Sequence, residues 1–430
     1  MKLEQQLVGS DDDSQLDSSS VISSASENRS VQDEGGEIDE DSQIKALEEK
    51  LKEVIDLTSQ KSSHGRTTSF ESLCKAFSTK YLPEFVTGRR MTLMDCIERG
   101  LKKGRGAEQE AAAKLAVLLC LQLGSVSESE MIYKEYKSTL LTVTSDHSMP
   151  LSVRAECATT VGLCSFLAGN DLLEVNEIML AMEAIFSSAG FRSSEGGGVM
   201  SSEMAHLHSA ALSSWTLLLT LLSPRQIYDL SQTHVRRLSE LLDSTDVDVR
   251  IGAGEAIALI YEGARNFDED FGFAVESGEE DNEARQSPTA DVGDLCHKLR
   301  QLATDSHKYR AKKDRKQQRS SFRDILRAIE ENEAPDIRVK FGKEILDIDS
   351  WARKRQYDTF CQVLGSGMNL HLTQNEMVRE IFELGPALLF DETTNNNKTS
   401  KLERHHLNMA AFKARSVARA KNRDKRTAVF

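Results

Sequence analysis

Only 6 prolines and 25 glycines occur in 430 residues. An all-β sandwich or barrel of this length turns too often for so few turn-forming residues, so that class is excluded. Cysteine is sparse as well: the seven (Cys74, Cys96, Cys120, Cys157, Cys164, Cys296 and Cys361) are scattered, odd in number and form no CxxC pair. Such usage offers no disulfide framework and fits a reducing compartment. The N-terminus, MKLEQQLVGSDDD, lacks the apolar run of a secretory leader. The longest apolar runs, Leu115–Leu121 and Trp215–Leu222, are far shorter than the ~20 residues that span a bilayer, and no membrane partner is expected. No Walker-type phosphate loop, GxGxxG or HExxH motif is present. His206 and His208 are two apart and face different sides of a helix. Gly365-Ser366-Gly367 is not a GxSxG nucleophile turn, and Cys157 and Cys164 read as core thiols. The sequence therefore predicts no enzyme, no cofactor, no bound metal and no small-molecule substrate.

What is present is charge in blocks on a background of −14 overall. Residues 1–43 hold 12 acidic and 2 basic residues with ten serines. Such a segment cannot bury enough apolar surface to offset its ordering entropy, so a disordered acidic arm is expected there. Ile44, Leu47, Leu51 and Val54 then recur at 3, 4, 3, which predicts a short helix and linker over residues 44–66 packing on the body.

Residues 67–330 read as helix after helix with a weak internal repeat. From Arg154, small or apolar residues follow at +3, +4, +7 and +9: Cys157, Ala158, Val161 and Leu163. From Arg250 the same offsets give Ala253, Gly254, Ile257 and Leu259, and from His208 they give Ala211, Leu212, Trp215 and Leu217. Glu110 starts a further frame with Ala113, Val117 and Leu119. Frame starts at 110, 154, 208 and 250 are spaced close to the ~40–47 residues of armadillo and HEAT repeats. The one long interval contains SSEGGGVMSS (Ser193–Ser202), read as an inserted loop. Small residues at +3 and +4 let neighbouring helices approach, and the aliphatics at +7 and +9 fill the seam. Ser244-Thr245-Asp246 supplies a helix N-cap before one frame, with the following Arg placed to bond near that turn. The expected fold is an all-α, armadillo/HEAT-like solenoid, interrupted by an acidic loop over 267–290.

Two basic regions follow. Lys298–Arg327 contains 11 Lys or Arg against 3 Asp, densest at Lys308, Arg310, Lys312, Lys313, Arg315, Lys316 and Arg319. No Pro or Gly interrupts it, so a helix carrying positive charge on several faces is predicted. Its readings are a solvated face, a nuclear-import signal or a phosphate-backbone contact. Lys398–Phe430 contains 10 Lys or Arg against 2 acids. Arg415, Arg419, Arg423 and Arg426 recur at 4, 4, 3, beside a narrow seam of Leu407, Ala410, Ala414 and Val417. This predicts a basic terminal helix over 391–430 with little to bury in its own domain, suited to a polyanion that supplies the counter-charge.

Between them, residues 331–390 read as a small module. Ile337–Phe341 alternates apolar and charged, Gly342-Lys343 turns, and Ile345, Leu346 and Ile348 return, which predicts a β-hairpin. Asp349-Ser350 caps a helix whose apolar face is Trp351, Phe360, Val363 and Leu364. Gly365-Ser366-Gly367 ends it, Thr373 begins the next, and Gly385-Pro386 stops that one.

The runs FGKEILDIDSW, LGSGMNLHL, FELGP and FKARSVARAKNRDKR resemble the conserved pattern of the interferon-related developmental regulator family over about Ser321–Arg426, and the body from about Thr67 fits more loosely. The resemblance implies a non-enzymatic regulator with an armadillo-like body. Members are associated with transcriptional co-regulation and with translational repression on ribosomes. Carried over by motif, Lys413, Arg415, Arg419, Lys421, Arg423, Lys425 and Arg426 are the implied nucleic-acid contacts. The expectation is an adaptor that binds the ribosome or another RNA–protein complex and blocks translation by placing its terminal helix in an RNA-lined channel. The alternative is a nuclear co-regulator that binds transcriptional regulatory proteins through the solenoid groove. Both cytoplasmic and nuclear locations are expected.

Overall fold

The structure is a computed structural model, and it describes residues 40–169, 171–187, 200–273, 288–304 and 311–386. Packing divides the chain after Lys45, and the larger unit runs from Ala46 onward. Residues 1–39 of the acidic arm, most of the inserted loop (193–199), most of the acidic loop (274–287) and the whole basic terminal segment lie outside the described residues; the arm's expected boundary at 43 is corrected, because the first helix already begins at Glu40.

The larger unit is a helical-repeat solenoid with a small C-terminal module. The described helices before that module are α1 (Glu40–Leu57), which begins ahead of the division, α2 (Ser63–Thr79), α3 (Pro83–Thr87), α4 (Arg90–Lys103), α5 (Ala107–Leu123), α6 (Val126–Ser145), α7 (Leu151–Ala168), α8 (Leu172–Phe186), α9 (Ser202–Leu219), α10 (Pro224–Leu241), α11 (Val247–Arg265), α12 (Pro288–Thr304) and α13 (Lys312–Glu331). α2 begins within the stretch read as short helix and linker, and α12 begins within the span read as acidic loop.

The four sequence frames fall on α5, α7, α9 and α11, which pack side by side as an inner row continued by α13, while α4, α6, α8, α10 and α12 pack outside it. The inner helices are buried nearly all round, as their unbroken apolar sequences require. Residues at the frame positions, among them Ala113, Val117, Cys157, Val161, Ala211, Trp215, Ala253 and Ile257, are each at most 2 % exposed. Close approach is specific. A Cβ on Gly162 of α7 would sit 2.6 Å from Ser214 Cβ of α9, and the Ser214 hydroxyl donates to the Ala158 carbonyl at 3.0 Å. The two arginines that open frames, Arg154 and Arg250, hook back onto the preceding turn. Arg154 Nε donates to the Thr144 carbonyl (2.9 Å) and Arg250 Nη1 to the Ser244 carbonyl (2.6 Å). Asp246 caps α11 by accepting from the Asp248 and Val249 amides.

The C-terminal module begins with strands β1 (Ile337–Phe341) and β2 (Glu344–Ile348), antiparallel with Phe341 opposite Glu344. The two-residue turn is Gly342-Lys343, with φ of +51° at Gly342, a value that glycine reaches at no steric cost. Helices α14 (Trp351–Leu364), α15 (Met368–Gln374) and α16 (Glu376–Ile381) complete it, with a single 3₁₀ turn at Gly365–Gly367. Ser350 caps α14 by accepting from the Arg353 amide, and Trp351, Phe360, Val363 and Leu364 are buried. One expectation is corrected: no helix starts at Thr373. The chain re-enters helix at Met368 directly, and the next N-cap is Asn375, whose side chain accepts from the Val378 amide at 3.2 Å. The Thr373 hydroxyl is instead used within α15, donating to the Asn369 carbonyl at 2.8 Å.

The module runs back along the inner row. Glu262 of α11 accepts from the Trp351 and Ala352 amides at the start of α14 (2.9 and 3.2 Å). Lys354 reaches Glu255 (2.6 Å), and Gln356 Nε2 donates to Thr220 Oγ1 (3.1 Å). Phe360 packs edge-on to Phe166 of α7, and Asn375 Nδ2 donates to the Leu121 carbonyl of α5 (2.6 Å). A Cβ on Gly367 would overlap the Ser78 carbonyl of α2. The inner face, from α11 back to α2, is thus covered by the chain's own C-terminal module.

Candidate nucleic-acid interface

Of the sequence-selected basic residues, the structure describes Lys312, Lys313, Arg315, Lys316 and Arg319, all on the first half of α13. Lys308 and Arg310, together with Lys413, Arg415, Arg419, Lys421, Arg423, Lys425 and Arg426, lie outside the described residues. The expected single helix across Lys298–Arg327 is corrected. α12 ends at Thr304, α13 begins at Lys312, and the two pack against one another, with Arg300 paired to Glu330 and Gln318 Nε2 donating to the Leu302 carbonyl (3.2 Å). Positive charge on several faces is corrected for the same reason. Gln318, Phe322, Ile325, Ala328 and Ile329 form a buried face of α13, so the cations are confined to the remaining arc.

α13 is fixed at both ends by arginines of α11. At its first half, Arg250 Nη2 donates to Gln318 Oε1 at 2.6 Å. At its end, Arg265 donates to the Ala328 and Ile329 carbonyls (2.7 and 2.6 Å), two acceptors that a terminating helix leaves open. The helix closes at Asn332, in the left-handed conformation at φ +56°. Burial holds the Arg265 guanidinium below its ordinary pKa, with Tyr261 opposing. Between those anchors, Phe322 and Ile325 press against Gly254, where a Cβ would come within 2.9 and 2.7 Å of them.

On the free arc, Lys312, Lys313, Lys316 and Arg323 are exposed and Arg315 and Arg319 half-buried. At 3.6 residues per turn, Lys312, Lys316, Arg319 and Arg323 fall within about 60° of one another. None of the four is in an ion pair with a described carboxylate, whereas Arg327, one step further, is paired with Asp324 and Glu333. Arg323 was missed in the sequence because the dense cluster ends at Arg319; its 4-residue offset from Arg319 was the available signal. The charge at the other end of α13 reverses: Glu331, Glu333 and Asp336 lie within six residues of one another, all exposed.

The last described stretch is anchored by a residue that sequence reasoning did not single out. Arg379, 1 % exposed, bonds Glu344 with both terminal nitrogens (2.9 and 2.8 Å) and donates to the carbonyls of Leu372 (2.8 Å), Gly385 (2.8 Å) and Pro386 (3.0 Å). The last described residue, Pro386, is thereby held to the module.

Comparison with known proteins gives a concordant result. The family pattern described as "Interferon-related developmental regulator (IFRD)" matches residues 18–330, and that described as "Interferon-related protein conserved region" matches residues 375–427. The chain is 43 % identical to Interferon-related developmental regulator 1 of Sus scrofa over 422 residues, 98 % of this chain and 90 % of that one. The human protein of the same name gives the same identity and coverage. Interferon-related developmental regulator 2 of Mus musculus is 42 % identical over 398 residues, 92 % of this chain and 87 % of that one. A crystal structure of an engineered protein aligns with 65 % of this chain and 97 % of its own at 12 % identity and a TM-score of 0.38.

Proposed function

The chain belongs to the interferon-related developmental regulator family, and from that membership together with the segregation of its charge we propose a non-enzymatic adaptor that binds the ribosome through ribosomal RNA and represses translation. The observation that carries this reading is the terminal segment: 10 Lys or Arg against 2 acids over Lys398–Phe430, in a chain of net charge −14. A segment so charged is held most favourably where phosphates replace its counterions, each contact contributing a log–log salt slope of roughly −0.7 to −0.9. Arginine forks suit phosphate and also stack on bases. In this reading the helical body docks on a ribonucleoprotein surface, and residues 391–430 enter an RNA-lined channel and obstruct it sterically.

The test is co-sedimentation with ribosomes of the intact chain against a chain ending at Thr399. The intact chain is expected in the ribosomal pellet and the shortened one in the supernatant; equal co-sedimentation sinks the proposal. The rival reading, a nuclear co-regulator gripping peptides in the solenoid groove, has less support. The inner face it requires carries α14, α15 and α16. A location in both cytoplasm and nucleus is compatible with either.

A further inference from the structure

We infer that the solenoid body carries a second RNA-backbone site, separate from the terminal segment: the stripe Lys312, Lys316, Arg319 and Arg323 on α13, fitted to a single polynucleotide strand. The inference rests on the reading of the chain as an RNA binder and gives it a second, rigid contact. Three observations support it. The four cations lie on one narrow strip, about 17 Å long at 1.5 Å per residue, with about 4.5 to 6 Å between successive members. That interval is of the same order as the separation of neighbouring phosphates along a strand. None is in an ion pair with a described carboxylate, although Arg300 and Arg327 find such partners on α13; only Arg323 feels a neighbouring one, Asp324, which pairs with Arg327. From Gln318 onward the helix beneath them is held, because Arg250 bonds Gln318, Arg265 bonds the last turn, and Phe322 and Ile325 are fully buried against α11; Lys312 and Lys316 extend from that held part.

An acidic polypeptide is the other partner that a cationic strip fits. The strand is favoured because the proposed partner is a ribonucleoprotein, and guanidinium forks such as those of Arg319 and Arg323 suit phosphate.

The experiment titrates the full-length protein against a fluorescent 20-nucleotide poly(U) strand over a range of salt concentration. It compares the parent chain, a stripe variant (Lys312→Gln, Lys316→Gln, Arg319→Gln and Arg323→Gln) and a tail variant (Arg415→Gln, Arg419→Gln, Arg423→Gln and Arg426→Gln). Circular dichroism checks that helix content is kept, and a stripe variant with only Lys312→Gln and Lys316→Gln, both exposed, replaces the fourfold one if it is not. The fourfold stripe variant is expected to flatten the log–log salt slope by about 3, and the twofold one by about 1.4, at roughly 0.7 per lost single-strand contact. An unchanged slope in the stripe variant overturns this inference while leaving the tail reading intact. A flattened slope in the stripe variant beside an unchanged one in the tail variant does the reverse. Tighter binding of a fluorescent poly-glutamate peptide than of poly(U), lost in the stripe variant, also overturns it in favour of an acidic protein partner.

Discussion

Arg379 and Glu344 meet fork to fork, Nη1 to Oε1 at 2.9 Å and Nη2 to Oε2 at 2.8 Å, with the guanidinium buried and the carboxylate at the first residue of β2. The pair joins the hairpin to α16, and the remaining guanidinium protons close the loop that ends the module. Removing the cation leaves a carboxylate and several carbonyls without partners inside the fold. Arg379→Ala is therefore expected to lower stability by about 3 to 5 kcal/mol. Arg379→Lys, which keeps the charge but loses the planar fork, is expected to recover less than half of that. Urea denaturation followed by circular dichroism measures both; a loss under about 1 kcal/mol for Arg379→Ala contradicts the anchoring role.

Gly162 faces Ser214 where α7 crosses α9. Alanine is the better helix former by roughly 1 kcal/mol, so an exposed glycine would gain from the change. Here the added methyl meets Ser214 Cβ at 2.6 Å and Cα at 3.3 Å, neither of which is a flexible chain end. Overpacking costs about 1 to 3 kcal/mol, so the net effect of Gly162→Ala is expected to be destabilising. Gly252→Ala in α11 is the control. Its methyl would meet only the Leu212 side chain, at 3.3 Å, so it should be close to neutral. A stabilised Gly162→Ala protein would refute the close-packing account of the repeat.

Gly162 and Arg379 also mark the boundary of what the sequence disclosed. The inner row was legible because repeats restate the same packing problem: a small residue where helices cross, large ones where they part. Four frames, spaced alike except across the inserted loop, identified α5, α7, α9 and α11, and the two arginines that begin frames each donate to a carbonyl of the preceding turn. The hairpin was legible through Gly342, where local geometry fixes the register. The course of the module along the inner face was not. Glu262 with Trp351, and Leu121 with Asn375, are 89 and 254 residues apart, and contacts at such separation leave no periodic trace in either segment. Arg379 and Arg265 were hidden for a related reason, since a buried arginine looks in sequence like any surface cation. The basic residues of α13 were found, but their confinement to one arc follows from the buried face that begins at Gln318.

Acid should loosen the joint between the module and α2. His371 is fully buried beside Tyr81, and burial pushes its pKa from 6.5 down to about 4, against weaker support from the carbonyls of Phe77 and Ser78. The unfolded chain therefore binds a proton that the folded chain refuses between those values. This contribution to stability is complete above about pH 6.5 and declines as pH falls toward 4, by at most about 1.4 kcal/mol per unit. Glu156, raised to about 6 chiefly by burial, acts in the opposite sense, losing stability as pH rises through its own window. The diagnostic is consequently the difference between the parent chain and His371→Gln. That variant should be less stable at pH 7 and should lose less stability between pH 6.5 and 5. Parallel pH profiles for the two proteins would exclude His371 as the titrating group.

Asn375 performs two tasks with one amide: Oδ1 accepts from the Val378 amide and caps α16, and Nδ2 donates to the Leu121 carbonyl at the end of α5. Substitutions separate the two. Asn375→Asp keeps an acceptor for the cap but sets a carboxylate against a carbonyl in a site that excludes solvent. Asn375→Ala removes both bonds, each worth about 1 kcal/mol, without introducing a charge. The aspartate variant is therefore expected to be the worse of the two, with the damage confined to the docking of the module. Hydrogen exchange should show faster exchange in β1, β2 and α16 of Asn375→Asp, and unchanged protection in α7 and α9. Equal acceleration across the inner row would mean that the module and the solenoid unfold as one unit. The bond to Leu121 would then be one contribution to a common core and not a separable clasp.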